Sequence, residues 1–310
     1  MLLKPRWDNN LAFGHTVNDF SSDPQTSTNR SVEFDPDIDW VPRVAVGFRM
    51  GDGLGFRVRW WQGSWSDSQS GSVPGGDFAF GVIESISSAN PLNLGISTTS
   101  SQITGPEGAT LAPASVVANS KLSMVAWDFE ATKETKICGF DLTLSGGFRY
   151  MHISQDYSMF ISAPDASINS AQGIISGHNI NGFGPTFAID GRYGFGGGIA
   201  AYGVARFAVL FADAKQNAFA AYEVPGIEGG NVGRIDSAFQ DRNTVIPLTE
   251  LEVGGEYAAS MGNSELFVRI GLVGNVYFSA GNSSRSGNTA NEANSNLGLI
   301  GINFSGGVRF

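Results

Sequence analysis

Cysteine is nearly missing: Cys138 is the one cysteine in 310 residues, so no intramolecular disulfide can form. Histidine is almost as rare. His15, His152 and His178 share no metal-ligand spacing, and no cysteine cluster completes a zinc site. Charged residues make up only 15% of the chain, against about a quarter in ordinary soluble domains. Long apolar runs are missing too, since no stretch approaches the ~20 residues of a membrane-spanning helix. The opening MLLKPRW has no n-region, h-region or cleavage site. For an exported protein, the expectation is that a signal peptide is absent from this sequence and that Met1 falls inside a strand.

Motifs for chemistry are equally scarce. Acid–base or nucleophilic catalysis needs a histidine within hydrogen-bond reach of a carboxylate or nucleophile. His152 and Asp156 form the one local pair worth testing, and strand parity turns His152 outward with Phe148 and Tyr150. The glycine-rich stretch 194–198 lacks the helix and lysine of a phosphate loop. Cys138, beside a turn, reads as a small packing residue. No enzyme is expected, and no cofactor is implied. With 29 acidic residues against 19 basic ones, nucleic acid is excluded as a partner, because its phosphates demand a basic surface.

What the chain does have is 41 glycines, 22 phenylalanines and alternation with a period of two. At the end, Ile300, Ile302, Phe304, Val308 and Phe310 share one parity, while Asn303, Ser305 and Arg309 share the other. In 264–278, Leu266, Val268, Ile270, Leu272, Val276 and Phe278 oppose Glu265, Arg269 and Asn275. In 248–259, Leu251, Val253 and Tyr257 oppose Glu250, Glu252 and Glu256. Charges at alternate positions would ruin a sandwich core, whereas in a barrel they face the lumen. Ten segments follow this pattern: 2–13, 39–50, 54–65, 121–132, 138–153, 182–193, 199–212, 246–260, 264–279 and 297–310. Each reaches the ~9–11 residues with which a tilted strand crosses a membrane.

The connections alternate in length. Short ones lie at 51–53, 133–137, 194–198 and 261–263; long ones at 14–38, 66–120, 154–181, 213–245 and 280–296. Short periplasmic turns alternating with long external loops are the topology of outer-membrane barrels. The expected fold is all-β, a single domain over 1–310. It is a transmembrane antiparallel up-and-down barrel of about ten strands, or twelve if 66–120 hides a hairpin. Trp7, Trp40, Trp60, Trp127, Tyr150, Tyr193 and Tyr257 fall on the lipid parity, where interfacial girdles form, although aromatics also simply favour strands.

Parity places eleven basic residues in the lumen: Lys4, Arg6, Arg43, Arg49, Arg57, Arg59, Arg149, Arg192, Arg206, Arg269 and Arg309. It also places nine acidic ones there: Asp8, Asp128, Glu130, Asp141, Asp190, Glu250, Glu252, Glu256 and Glu265. Two readings stand. Walls of opposite sign can hold a transverse field across an open, water-filled pore. Alternatively, Arg57 and Arg59 pair with Asp128 and Glu130 on the neighbouring strand, and similar pairs fill the interior. A barrel of about eight strands is filled by its side chains, and sixteen leave a channel. Outside the lumen set the charge is mostly acidic, and an acidic mouth concentrates cations.

Several segments resemble a known family. LLKPRW, DWVPRVAVGFRMGDGLGFRVRWWQ, GGFRYMHISQ, GFGPTFAIDGRYGFGGGIAAYGVARFAVLF and LGLIGINFSGGVRF, in that order, are similar to the strands of the Legionella-type pore-forming major outer membrane proteins, a family also common in planctomycetes. The resemblance covers most strands and misses the long loops. It implies a porin-like barrel in the bacterial outer membrane, in contact with lipid and lipopolysaccharide and passing small ions and polar solutes. It names no catalytic residues. Phe310 looks like the terminal aromatic that barrel-assembly machinery recognises.

Three finer expectations remain. Asp35, Asp37 and Asp39 could bind a divalent cation such as Ca²⁺ through carboxylate oxygens, though such runs are commonly just solvated. The small residues Ala201, Gly203, Ala205, Gly255 and Ala259 on the lipid parity could let a homo-oligomer, such as a trimer, approach closely, or could simply permit curvature. The 66–120 loop, with DFAFGVIESI as its ordered piece, could constrict the lumen, cover a neighbouring subunit or be disordered. A closed barrel serving as a structural, adhesive or surface-array protein through its acidic loops is the alternative to the pore.

Overall fold

The computed structural model describes residues 1–8, 10–19, 26–73, 79–84, 114–163, 170–225, 231–283 and 295–309. Among them are fourteen strands: β1 (Leu2–Trp7), β2 (Leu11–Asp19), β3 (Thr26–Glu33), β4 (Asp39–Trp40), β5 (Arg43–Arg49), β6 (Leu54–Val73), β7 (Ala79–Glu84), β8 (Ala114–Ile137), β9 (Phe140–Ala163), β10 (Ser170–Gly196), β11 (Ile199–Pro225), β12 (Asn231–Met261), β13 (Ser264–Tyr277) and β14 (Leu297–Arg309). Eleven of them form one antiparallel sheet in the order β4-β1-β14-β13-β12-β11-β10-β9-β8-β6-β5. A second sheet holds β3-β2-β7. No helix among the described residues is long and apolar enough to cross a membrane.

Alternation in the sequence becomes alternation in space, because successive side chains of a strand point to opposite faces. Along β11, Arg206, Ala208 and Leu210 are buried, while Phe207, Val209 and Phe211 are 61%, 38% and 64% exposed. Over the half of each long strand nearest the short turns the exposed face is apolar, the inverse of a soluble protein. The sheet is strongly curled. Arg59 on β6 reaches Glu250 on β12, and Arg206 on β11 reaches Glu130 on β8, so strands far apart in the sheet order touch across a shared interior.

The first and last strands of that order are neighbours in the chain. β4 and β5 are separated only by Val41 and Pro42, and proline interrupts the ladder because it has no N–H to donate. Val41 N–H donates to Met1 O at 2.7 Å, the Met1 amine donates to Val41 O at 2.8 Å, and Gln62 N–H donates to Pro42 O at 3.3 Å. The stretch 39–49 therefore borders β1 at its start and β6 along the rest. β1 pairs with Leu297–Ile302 of β14, and Asn303–Arg309 pair with β13 alone.

Short turns sit where the glycines are. Gly53, the run Gly196–Gly198 and Gly262 adopt positive φ, which glycine does without steric penalty. One short turn differs from expectation: β8 continues to Ile137, so 133–137 is strand, and the chain reverses at Cys138 and Gly139, with φ of 51° and 82°. Cys138 thus has a backbone role and is exposed.

At the other end the segments expected to be loops are largely strands. β9 and β10 pair from Ala163 and Ser170, and β11 and β12 pair from Pro225 and Asn231. β12 has 31 residues, about three times the ~9–11 a bilayer requires. Within the expected loop 14–38, β2 and β3 pair with each other. Within 66–120, β6 and β8 continue to Val73 and from Ala114, and β7 pairs with β2. These stretches read as loops because their apolar–polar alternation fades once neither face meets lipid. Phe13, Phe34, Val116, Ala118, Tyr157 and Met159 form a cluster there that seats the smaller sheet on β8 and β9.

The interior of the curled sheet as candidate functional site

The interior is built in layers, each set by one or two inward positions per strand. Nearest the short turns is an open cavity of about 990 Å³, lined by charged and small residues that include Arg49, Asp52, Glu134, Lys136, Asp141, Arg192, Glu265 and Arg269. At its inner edge, Glu256 accepts from Arg192 Nε at 2.7 Å, from Arg269 Nε at 2.5 Å and from Arg309 Nη2 at 2.8 Å; Arg309 also bonds Glu265. Arg49 and Glu134 pair at 2.7 Å on the exposed rim.

The next layer carries the densest charge. Asp128 accepts from Arg149 Nε at 2.6 Å and from Arg59 Nε at 2.7 Å. Glu250, from the opposite wall, accepts from Arg149 Nη1 and Arg59 Nη2, both at 2.7 Å. Arg57 donates to Glu130, to Asp190 at 2.7 Å and to Ser145 at 3.1 Å, and Arg206 also bonds Glu130. Beside them Glu252 accepts from Arg43 at 2.8 Å, Tyr202 at 2.7 Å and Asn303 at 2.7 Å. Asp128, Glu130 and Arg149 are all 0% exposed. An unpaired buried charge is very unfavourable, and here nearly every oxygen has a guanidinium.

One inward step further along the same strands, chemistry changes. Trp61 follows Arg59, Ala126 precedes Asp128, Met151 follows Arg149 and Leu248 precedes Glu250; all are buried in one apolar cluster with Leu210, Tyr277 and Leu299. Trp65 donates its indole N–H to Leu3 O at 2.8 Å. Above this layer the chain after β13 folds inward. Ala280, Asn282 and Ser283 are buried, and Ser279 and Gly281 take positive φ. Gln155, on β9 across the interior, holds this stretch: its Nε2 donates to Gly281 O at 3.2 Å, and its Oε1 accepts from Ser283 N–H at 2.9 Å. His178 lies against Gly281, where a Cβ would meet the ring at 2.7 Å.

Several expected sites are placed elsewhere. Lys4 and Arg6 do not face the interior. On β1 the odd residues Leu3 and Pro5 are buried, Arg6 is exposed and Lys4 bonds Asp35 at 2.7 Å. The physical reason is height: β1 runs beside Leu297 and Leu299, where the interior is apolar and a lysine would be unpaired. Trp7, expected outside, accordingly packs against the apolar cluster, and Asp8 turns outward to Asn296 at 2.7 Å. Asp35, Asp37 and Asp39 do not converge. Asp35 takes Lys4, Asp39 caps Trp40 N–H, and among the described residues no three carboxylate, histidine or cysteine groups meet to hold a metal ion. His152 bonds Asn181 at 2.9 Å. Phe310 lies outside the described residues, as do 74–78 and 85–113 of the 66–120 segment. Arg43, Arg49, Arg57, Arg59, Asp128, Glu130, Asp141, Arg149, Asp190, Arg192, Arg206, Glu250, Glu252, Glu256, Glu265, Arg269 and Arg309 share the inner face. On the outer face Ala201, Gly203 and Ala205 floor an apolar groove walled by Tyr193, Leu251 and Leu272, while Gly255 and Ala259 lie outside it.

An antiparallel sheet curled about charged residues, with phenylalanine, leucine and valine on its exposed face, defines the class of bacterial outer-membrane β-proteins. All of the chain, residues 1–310, matches the family of the Legionella pneumophila major outer membrane protein precursor, and the chain belongs to that family. Its place is the outer membrane. Among solved structures it is similar to the outer membrane protease OmpT from Escherichia coli, at 8% identity and a TM-score of 0.37, covering 99% of this chain and 94% of that one. It is also similar to a loop-deletion mutant of OmpT, an outer membrane protein of Vibrio cholerae, at 7% identity and a TM-score of 0.18, covering 98% of each. No curated protein matches it.

Proposed function

We propose that this chain is a ten-stranded outer-membrane barrel, with 39–49 counted as one strand between β1 and β6, whose lumen is closed by its own side chains. It acts as a structural surface protein through the strands and acidic loops carried beyond the membrane. One observation supports this above others: Arg59, Asp128, Arg149 and Glu250 meet across the interior at 2.6–2.7 Å, with apolar side chains stacked on them. Water-filled pores keep their wall charges apart. Lipid and lipopolysaccharide cover the outer face, and the groove over Ala201, Gly203 and Ala205 is where a second copy, in a trimer for example, would approach most closely.

A porin-like channel for small ions and polar solutes, with mild cation preference, is the second reading. The polar cavity at the short-turn end favours it, because that cavity is already half of a water path. Swelling of proteoliposomes in an isotonic small sugar separates the two. The closed barrel leaves the vesicles no more permeable than empty ones; rapid swelling that scales with protein content transfers the reading to the porin.

A further inference from the structure

We propose that the cavity at the short-turn end binds an oxyanion, the carboxylate or phosphate group of a small solute, between Arg192 and Arg269. The site stands on its own residues and holds whether or not the lumen conducts.

Three guanidinium groups, those of Arg192, Arg269 and Arg309, crowd around the single buried carboxylate of Glu256. Each guanidinium has five N–H donors, and a carboxylate has room for about four. Arg309 finds a second acceptor in Glu265. Arg269 spends only its Nε on Glu256, and Arg192 spends its Nε there and reaches Asp141 at a long 3.5 Å. Asp141 is also held by Lys136 at 3.0 Å. Most Nη donors of Arg192 and Arg269 therefore have no acceptor among the described residues, and both residues line the cavity.

Arg269 is fixed in place. Its Cζ lies 4.6 Å from the centre of the Tyr202 ring and 5.1 Å from that of Phe267, a ring that Arg309 also covers at 4.1 Å, so two aromatics pack against the guanidinium. Tyr202 is anchored in turn by its hydroxyl on Glu252. A clamped planar fork with unpaired donors is what two-pronged recognition of a carboxylate or phosphate uses. Around the whole cavity the charges balance: Arg49, Arg57, Lys136, Arg192, Arg269 and Arg309 stand against Asp52, Glu134, Asp141, Asp190, Glu265 and Glu256. The free donors of Arg192 and Arg269, rather than a net charge, are what an oxyanion would meet.

The test titrates inorganic phosphate and, separately, acetate into the full refolded chain in zwitterionic detergent with low chloride, read by calorimetry. Saturable binding at one site is expected, with Arg269→Gln and Arg192→Gln each weakening it about tenfold, the size of one lost charged hydrogen bond. Lys215→Gln, on the distant part of β11, should leave it unchanged. Binding of both probes supports a site open to carboxylates and phosphates alike, and binding of phosphate alone supports one for phosphoryl groups. Heat-modifiable migration on gels confirms that each variant is folded before it is titrated. The proposal is overturned if folded wild-type protein binds neither probe, or if both variants bind as tightly as wild type.

Discussion

On β6, β8, β9 and β12, two neighbouring inward positions meet opposite fates. Arg59, Asp128, Arg149 and Glu250 form a buried ion-pair layer, while Trp61, Ala126, Met151 and Leu248, one inward step away, form an apolar one. The backbone and the burial are the same. The difference lies in what each layer demands of its members. An apolar side chain needs only volume, so losing one leaves a void whose effect is graded. A buried charge needs a particular partner, so losing one strands the others.

Removing a partner from the charged layer should have the largest effect. Arg149→Ala leaves Asp128 and Glu250 short of donors, and about 3–5 kcal/mol of stability is expected to go, read from urea unfolding in detergent. Replacing Arg59, Arg149, Asp128 and Glu250 together by methionine and leucine should recover most of that loss, because Arg206 keeps Glu130 and no charge is then stranded. In the apolar layer, Leu299→Ala, at a position 1% exposed, should remove about 3 kcal/mol, and a second truncation nearby should add to it smoothly. If the fourfold replacement is worse than Arg149→Ala alone, the two layers do not differ as described.

Smaller effects belong to the inward-folded stretch above. Gln155→Leu removes both side-chain hydrogen bonds to Gly281 and Ser283. It should release that stretch at a stability loss of about 2 kcal/mol, seen as new proteolysis after β13. His178 lies above the spanning part of β10. Burial and then the positive charge of Arg242 push its imidazole from 6.5 down to about 4. It is neutral when folded and takes up a proton sooner when unfolded. Its contribution is therefore full above about pH 6.5 and is lost as the pH falls toward 4. Thermal unfolding of wild type between pH 7 and 4.5 should drop further than that of His178→Gln. Asp35→Asn, which breaks only the exposed pair with Lys4, should leave the unfolding midpoint unchanged.

Much of this arrangement was legible in the chain. Period-two alternation placed Glu250, Glu252 and Glu256 on one face, and Arg57 and Arg59 beside Glu130 and Asp128, because strand parity carries register. The same parity, continued from Glu250 to Leu248 and Ile246, already signals an apolar layer. It is easily passed over when large apolar residues are read as facing lipid. β1 misled for that reason: Lys4 and Arg6 look like lumen residues until the interior beside them proves to be lined by Leu297 and Leu299. The length of β9 to β12 was illegible for a different reason. Beyond the membrane neither face must be apolar, so hairpins such as 154–181 lose the pattern that marks strands. The inward turn at 279–283 depends on Gln155, more than a hundred residues away, and no local signal carries it.

Single-channel conductance of the purified, refolded chain in a planar bilayer tests the closed interior most directly, with insertion confirmed independently and a salt gradient imposed. The two stacked layers predict a silent membrane for wild type. Stepwise ohmic currents with a cation-selective reversal potential would contradict the closed lumen and make the short-turn cavity the entrance to a pore.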